Sequence, residues 1–393
     1  MKYIYILTLL FCFSACKTPT FVEKKIVEFE TGFPLLNSFS FGTWYDKKNK
    51  KEYIYFGNPY SGDAIVRFFT PDGKVQSEIE DVPLKNGVKG LANITSIFVY
   101  DIDTIVIVNG GAYASQMVYL NRKGERIQKI IVDSVFGQNE RYRMLYCANQ
   151  TPHKPFVYLH FYWNWVNAVD IPSSFKNELE YHKVYYKKHY ETPSVCRWDV
   201  RANTYTFTAA NMIPTYFFPQ GDTSFNENTL ILSEELHNCY AHKLFLWMRT
   251  SDKILVLNPD NLQIEHSFNI SSKYSPIGID PFPLKLRNQK LANVNLIGGR
   301  IIRILYDKNR NLYYVITKHE LPEEDIAFST EAPLSIHIYN TKFEKIKEQY
   351  LERGKYDYRF IFLTSQGLYI SQNENNKDYD PAKRRFYFFE IEK

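Results

Sequence analysis

Apolar and polar residues alternate along this chain in short runs, and the pattern is plainest over Tyr53–Glu80. Two alternating runs, Tyr53–Phe56 and Ala64–Thr70, precede the turn Pro71-Asp72-Gly73 and a third run, Val75–Ile79. A period of two puts successive side chains on opposite faces of a strand. Asp-Gly between such runs is a strong hairpin signal, because both positions tolerate positive φ. With Phe39–Tyr45 ahead of it, the stretch predicts four consecutive strands, here called a, b, c and d.

The same order recurs along the chain. The second unit reads Ile94–Tyr100, Thr104–Val108, Met117–Leu120 and Arg126–Val132, and the third Tyr142–Cys147, Phe156–Tyr162, Val195–Val200 and Thr204–Thr208. In the fourth, strand a lies somewhere in Thr229–Tyr240, followed by Lys243–Met248, Lys253–Leu257 and Gln263–Ile270. The fifth reads Arg300–Tyr306, Leu312–Thr317, Leu334–Tyr339 and Glu344–Tyr350. The sixth has only Tyr358–Leu363, Leu368–Ser371 and Arg385–Ile391. Small sheets that cannot bury both faces alone stack on one another, and radial stacking of four-stranded sheets makes a β-propeller. The expected fold is therefore all-β, a six-bladed propeller. The spare strand Lys25–Glu30 pairs beside Arg385–Ile391 and closes the last blade, which removes two open edges. A seventh blade within Asn211–Leu236 is the structural alternative.

Strand order also sorts the loops. The a-to-b and c-to-d connections are tight turns, whereas Asn58–Asp63, Asn109–Gln116, Trp163–Ser194, Lys318–Pro333 and Gln372–Arg384 (b to c) are longer. So are the d-to-a connections Asp81–Asn93, Asp133–Arg141, Ala209–Asn228 and Ser271–Gly299. In antiparallel sheets these two sets emerge at the same end. One face of the disc is thus elaborated, and elaborated loops on a rigid scaffold are the usual place for binding.

Composition agrees and narrows the partners. Aromatic residues make up 17% of the 393, which favours pleated, half-buried surfaces. The 48 Lys and Arg face 43 Asp and Glu without a long basic run, so nucleic acid is not expected as a partner. Lys2, the apolar segment Tyr3–Phe13 and Ser14-Ala15-Cys16 read as a signal peptide too short to span a bilayer. Small residues before Cys16 have the form of a lipobox, in which that cysteine is acylated and tethers a folded domain to the membrane. The expected organisation is a signal peptide at 1–15, a tether at 16–24 and one propeller domain at 25–393. Cys147, Cys196 and Cys239 are an odd number on or beside strands, and packing in the core is their default role.

Candidate chemistry is sparse. Trp163 and Trp165 follow strand b of the third unit, where they can form a sugar-stacking platform or pack the adjoining insertion; His160 precedes them. That insertion carries Tyr185 among lysines within Lys176–His189, a mixture that can stack on sugars or meet an anionic surface. Asn58 and Asn109 open two of the long loops. Arg300 and Arg303 lie on strand a of the fifth unit, nearest the axis, where a guanidinium can bind a carboxylate or phosphate or pair with Asp307. Neither the G-x-S-x-G elbow, H-E-x-x-H, a P-loop nor an EF-hand occurs, and Cys and His lack zinc spacing, so no metal or cofactor is expected. Asp101 with Asp103, and Glu323-Glu324-Asp325, do not specify opposed catalytic carboxylates.

The segments YDKNRNLYY and GLYISQN, within GRIIRILYDKNRNLYYVITKHELP and FIFLTSQGLYISQNENNKDYDPAKRRFYFFEI, resemble the uncharacterised TolB-like six-bladed propeller lipoproteins of Bacteroidota. The resemblance implies a propeller on a lipid anchor and brings no catalytic residues. Lys17-Thr18-Pro19-Thr20 lacks the acidic signal that directs such lipoproteins to the cell surface, which points to the periplasmic side. The expected function is non-enzymatic: a monomeric, membrane-tethered module whose loop-rich face binds an envelope protein or glycan. The alternative is a glycan hydrolase or lyase with its site in the central channel.

Overall fold

The computed structural model describes residues 19–33, 40–58, 65–76, 79–84, 86–91, 94–111, 114–131, 142–145, 156–161, 195–199, 202–207, 235–240, 243–248, 251–278, 298–375, 380 and 383–392. Its strands form six four-stranded antiparallel sheets. The first holds β2 (Ser40–Asp46), β3 (Lys51–Asn58), β4 (Ile65–Phe69) and β5 (Val82–Pro83). The second holds β6 (Ile94–Asp101), β7 (Thr104–Gly111), β8 (Ala114–Leu120) and β9 (Arg126–Ile131). The third holds β10 (Tyr142–Leu145), β11 (Phe156–Phe161), β12 (Val195–Asp199) and β13 (Thr204–Phe207). In the fourth are β14 (Glu235–Tyr240), β15 (Lys243–Met248), β16 (Lys253–Leu257) and β17 (Ile264–Asn269). The fifth consists of β18 (Arg300–Asp307), β19 (Leu312–Lys318), β20 (Leu334–Tyr339) and β21 (Lys345–Leu351). The sixth orders β22 (Tyr356–Leu363), β23 (Gly367–Gln372) and β24 (Lys383–Glu392), with β1 (Thr20–Glu30) on its outer edge.

Sequential sheets pack face to face. Every residue of β19, β20 and β23 is buried, because a neighbouring sheet covers each face. Outer strands such as β9 and β17 are largely exposed and mix polar residues with the exposed Ile127, Ile131 and Ile264. The first strands of the sheets meet one another: β2 touches β6 and β22, and β18 touches β14 and β22. The β10 strand touches β7 and β8. Arg197 on β12 reaches the fourth sheet, donating to the Asp260 carbonyl at 2.7 Å. Cys196, beside it, is a buried free thiol pushed up to about 12 by burial.

The N-terminal strand does pair with the C-terminal one, from Thr20 opposite Glu392 to Glu30 opposite Lys383. It starts ahead of the Lys25 that alternation suggests, and the reason is Phe21. This ring is buried edge-on to Tyr314 at 4.9 Å, and its backbone is bracketed by Gln349, which accepts at 2.9 Å and donates at 2.6 Å. A bulge at Lys24 then reverses the faces, so Phe21 enters the core between the fifth and sixth sheets while Val27 and Phe29 enter the core between the sixth and first.

One expected strand differs. The turn Pro71-Asp72-Gly73 forms as a hairpin, with Gly73 N donating to Thr70 O and Thr70 N to Lys74 O, both at 2.9 Å. Among the described residues a single bridge, Val75 to Phe69, follows it, and Val75 is exposed. The fourth strand of that sheet is instead β5, Val82–Pro83, whose Val82 is buried in the core shared with the second sheet. Burial of Val82 outweighs the local alternation of Val75–Ile79.

Candidate functional site

The antiparallel order within each sheet places the b-to-c and d-to-a connections at one end and the tight turns at the other. Buried polarity follows the same division. Ser40, Asn58, Asn109, Gln116, Lys318, Ser335, Asp357, Gln372 and Arg384 are all buried at or near the loop-bearing ends of their strands. At the turn end the buried polar residues among those described are Asp307 and Thr364, and both are turn caps. Asp307 accepts from the backbone of Asn309 and Arg310, and Thr364 Oγ1 from Gln366 and Gly367. Burying a polar group is costly without a partner, so such groups cluster where structure or function requires them.

The densest cluster sits where β18, β22 and β2 converge. Arg300 opens β18 and pairs across the ladder with Lys318, the last residue of β19. Lys318 is wholly buried, and burial together with the Arg300 charge brings its ammonium down to about 7. Tyr358 lies beneath both cations, its ring 5.7 Å from the Arg300 guanidinium and 5.8 Å from Lys318 Nζ. On the other side of β22, buried Asp357 receives Arg359 Nη2 at 2.9 Å and Arg384 Nη2 at 2.9 Å. Arg359 also bridges to Glu374 at 2.8 Å. Burial opposes the Arg359 charge, but these two carboxylates outweigh it and hold the guanidinium above its ordinary range.

Bulges build this arrangement. In β22 the register shifts between Asp357 and Ile361, so Tyr356 and Tyr358 face the fifth sheet while Phe360 and Phe362 face the first. A bulge in β18 between Ile301 and Arg303 and another in β6 between Ile94 and Ser96 lie at the same end of their sheets. Bulges re-aim side chains and are enriched beside functional sites.

A second polar network lies between the fourth and fifth sheets. Thr317 Oγ1 is 2.9 Å from His337 Nε2, and His319 Nε2 is 2.9 Å from Ser335 Oγ. Ser335 donates to Glu348 at 3.1 Å, which also accepts from Ser272 at 2.5 Å and pairs with Lys345 at 3.0 Å. Burial presses both imidazoles down from their ordinary value, with the Lys345 charge adding to the effect on His337. Burial alone would raise the Glu348 carboxyl; its bonds from Ser272 and Lys345 bring it down instead.

Of the residues singled out by sequence, Arg300 stands in the main cluster. Arg303 is used as a clamp between sheets: it donates to the Ile361 carbonyl and lies 5.3 Å over the Phe41 ring of β2, while Asp307 pairs with Arg310 instead. Asn58 and Asn109 occupy equivalent buried places at the loop-bearing ends of β3 and β7. His160 lies on β11, paired with Arg143 and Val195. Cys16, Trp163, Trp165 and Tyr185 lie outside the described residues. Asp103 pairs with Arg122 and Asp325 with Arg353, so both acidic motifs hold structure together. Lys318, Asp357, Arg359 and Arg384 were not anticipated. Their signal is a charge set inside an apolar strand, as in LYYVITK and YDYRFIFL.

An all-β chain of four-stranded sheets packed through their first strands is a β-propeller. Its fold is similar to that of a DUF4221 family member from Bacteroides vulgatus, with a TM-score of 0.69, 20% identity, and coverage of 95% of this chain and 99% of that one. The resemblance to uncharacterised propellers of Bacteroidota therefore holds at the level of fold. A protein of unknown function from Bacteroides caccae has a TM-score of 0.37 at 9% identity over 76% of this chain and 77% of its own, too distant to carry an argument. No protein-family profile matches the sequence, and a comparison with curated proteins finds no match.

Proposed function

We propose that the protein is a binding module of the cell envelope: a single six-bladed propeller, closed by β1 and tethered through acylated Cys16, whose loop-bearing face engages a protein or glycan. The observation that supports this reading is the gathering of buried polar side chains at the end of the sheets that carries the longer connections. Among the described residues Asn58, Asn109, Lys318, Asp357 and Arg384 are buried at that end, with Asp307 and Thr364 at the other, a division that a partner-binding face accounts for. Contacts among the first strands, with Arg197 linking the third sheet to the fourth, support a ring of six blades. The main carboxylate of the cluster, Asp357, is engaged by two guanidinium groups, which suits recognition better than acid–base chemistry.

The test is capture of partners from envelope extract by the full chain. Deletion of 163–194 should abolish capture while thermal unfolding remains cooperative, and Lys47→Glu with Lys123→Glu, on the turn face, should leave capture unchanged. Capture that survives the deletion but falls with the turn-face pair overturns the reading. Cys16→Ala should move the protein from the membrane to the soluble fraction on fractionation; retention in the membrane refutes the anchor.

A further inference from the structure

We infer that the turn face of the fifth, sixth and first sheets is a membrane-docking surface, whose lysines and exposed tyrosine lie against anionic phospholipid headgroups. The inference rests on the Cys16 anchor proposed above and adds the orientation in which the anchored disc is held.

Position comes first. β1 begins at Thr20, opposite Glu392 at the end of β24, two residues beyond the Glu390 that pairs with Gly367 of the a-to-b turn in the sixth sheet. The chain therefore enters the propeller at the turn end, where Lys347 Nζ donates to Thr20 Oγ1 at 2.6 Å. Thr20 is the fourth residue after Cys16, a reach of about 14 Å at full extension. β1 itself is 11 residues long, about 35 Å from the turn end to the loop-bearing end. So short a tether cannot bring the loop-bearing face down onto the bilayer. It leaves the disc either standing on its edge or lying with its turn face down.

Charge decides between those two. The a-to-b turns of the three sheets, 46–52, 307–311 and 364–367, hold six cations and three carboxylates. These turns adjoin: Ser365 N and Oγ both donate to Glu52, at 2.6 and 2.5 Å, and Lys308 Nζ lies 5.0 Å from the Tyr45 ring. The carboxylates are engaged within the fold. Asp46 caps its own turn, accepting from Lys48 N at 2.9 Å and Asn49 Nδ2 at 2.6 Å, while buried Asp307 holds Arg310 at 2.9 Å. Lys47, Lys50 and Lys308 are exposed and form no ion pair among the described residues. Tyr45, beneath Lys308, is 43% exposed, an aromatic ring of the kind enriched at headgroup level. Nearer the tether, Glu390 and Glu392 are both paired with Lys24. The a-to-b turn of the second sheet carries Asp101 and Asp103 instead, so the positive surplus is not spread evenly around the disc. Within a Debye length of an anionic surface, about 8 Å at physiological salt, each lysine favours the docked disc about fivefold. The three exposed lysines together give about a hundredfold, on a disc that the tether already keeps within reach.

The experiment takes the natural chain, purified from membranes, places it on vesicles of phosphatidylcholine with and without phosphatidylglycerol, and follows amide hydrogen exchange. Exchange over 45–51 and 307–311 should be slower on the anionic vesicles than on the neutral ones, with no difference over 318–333 on the loop-bearing face. High salt should remove that protection, as should Lys47→Glu, Lys50→Glu and Lys308→Glu together, in a variant whose thermal unfolding remains cooperative. The inference is overturned by equal exchange on the two vesicles, by protection of 318–333 instead, or by protection that survives the three substitutions. Protection conferred by envelope proteins but not by anionic vesicles also overturns it. Failure of the natural chain to stay with neutral vesicles refutes the anchor alone. The docking surface then stands if the chain still sediments with anionic vesicles through the three lysines, and falls if it does not.

Discussion

Five turns that follow third strands place a residue at positive φ: Gly73 at 90°, Gly124 at 74°, Asn203 at 51°, Leu262 at 60° and Phe343 at 62°. The glycines also have no room for a side chain, since a Cβ on Gly124 would lie 1.7 Å from the Pro83 carbonyl oxygen of the preceding sheet. Phe343 takes the same turn, with its N–H donating to Asn340 O at 3.0 Å, although a left-handed conformation costs an L-residue about 1–2 kcal/mol. Its ring offsets that strain by stacking on His266 at 5.1 Å and on Phe268 at 5.2 Å. Phe343→Ala and Phe343→Gly both lose the stack, but only the alanine retains the strain. Urea denaturation should therefore find Phe343→Gly more stable than Phe343→Ala by about 1 kcal/mol, reversing the usual order. Equal midpoints would show that the turn is unstrained. Asp72-Gly73 was legible as a turn because its chemistry is local. Phe343 was not, because its φ is sustained by aromatic rings from the fourth sheet.

Among elements, β19, β20 and β21 were readable from alternation within a residue or so at each end. What they carry was not. His337 is one of six buried residues in LSIHIY, and nothing in that string reveals Thr317 or Glu348 beside it. The network makes a pH prediction. Burial depresses His319 and His337, so the unfolded chain takes up protons below its own histidine value near 6.5 while the folded chain resists them. Glu348, held below its ordinary 4.5 in the fold, acts in the same direction at lower pH. Stability should be greatest above pH 6.5 and decline as pH falls through 6 toward 4. His337→Gln should flatten the upper part of that decline, measured as urea midpoints across the pH series. A midpoint that rises on acidification would contradict the burial account.

At the scale of the molecule, closure depends on eleven residues from the far end of the sequence, Thr20–Glu30. They protect the edge of β24 and insert Phe21, Val27 and Phe29 into two different cores. The exposed rim of the strand is charged, with Lys24 paired to Glu392 and Glu28 to Arg385, which discourages pairing with another chain. Removing residues 20–30 forfeits the burial of those three side chains, about 2 kcal/mol each and roughly 6 kcal/mol in all, comparable to the net stability of a domain, and uncovers the cores they fill. The truncated chain should lose its cooperative thermal transition and self-associate through β24, seen by calorimetry and light scattering. A cooperative, monomeric truncation would mean that the ring does not need this strand.

The sequence by itself determined the strand inventory, the turn chemistry and the joining of the two ends, because alternation and turn propensity act between neighbours in the chain. Only the tertiary structure decided that β5 is Val82–Pro83, that β1 begins at Thr20, and that Lys318, Asp357, Arg359 and Arg384 gather with Arg300. Those outcomes depend on bulges that reverse a strand's faces and on which sheet lies opposite. A period of two cannot register a reversal made by a few extra residues, so the site remained hidden in strands whose positions were already plain.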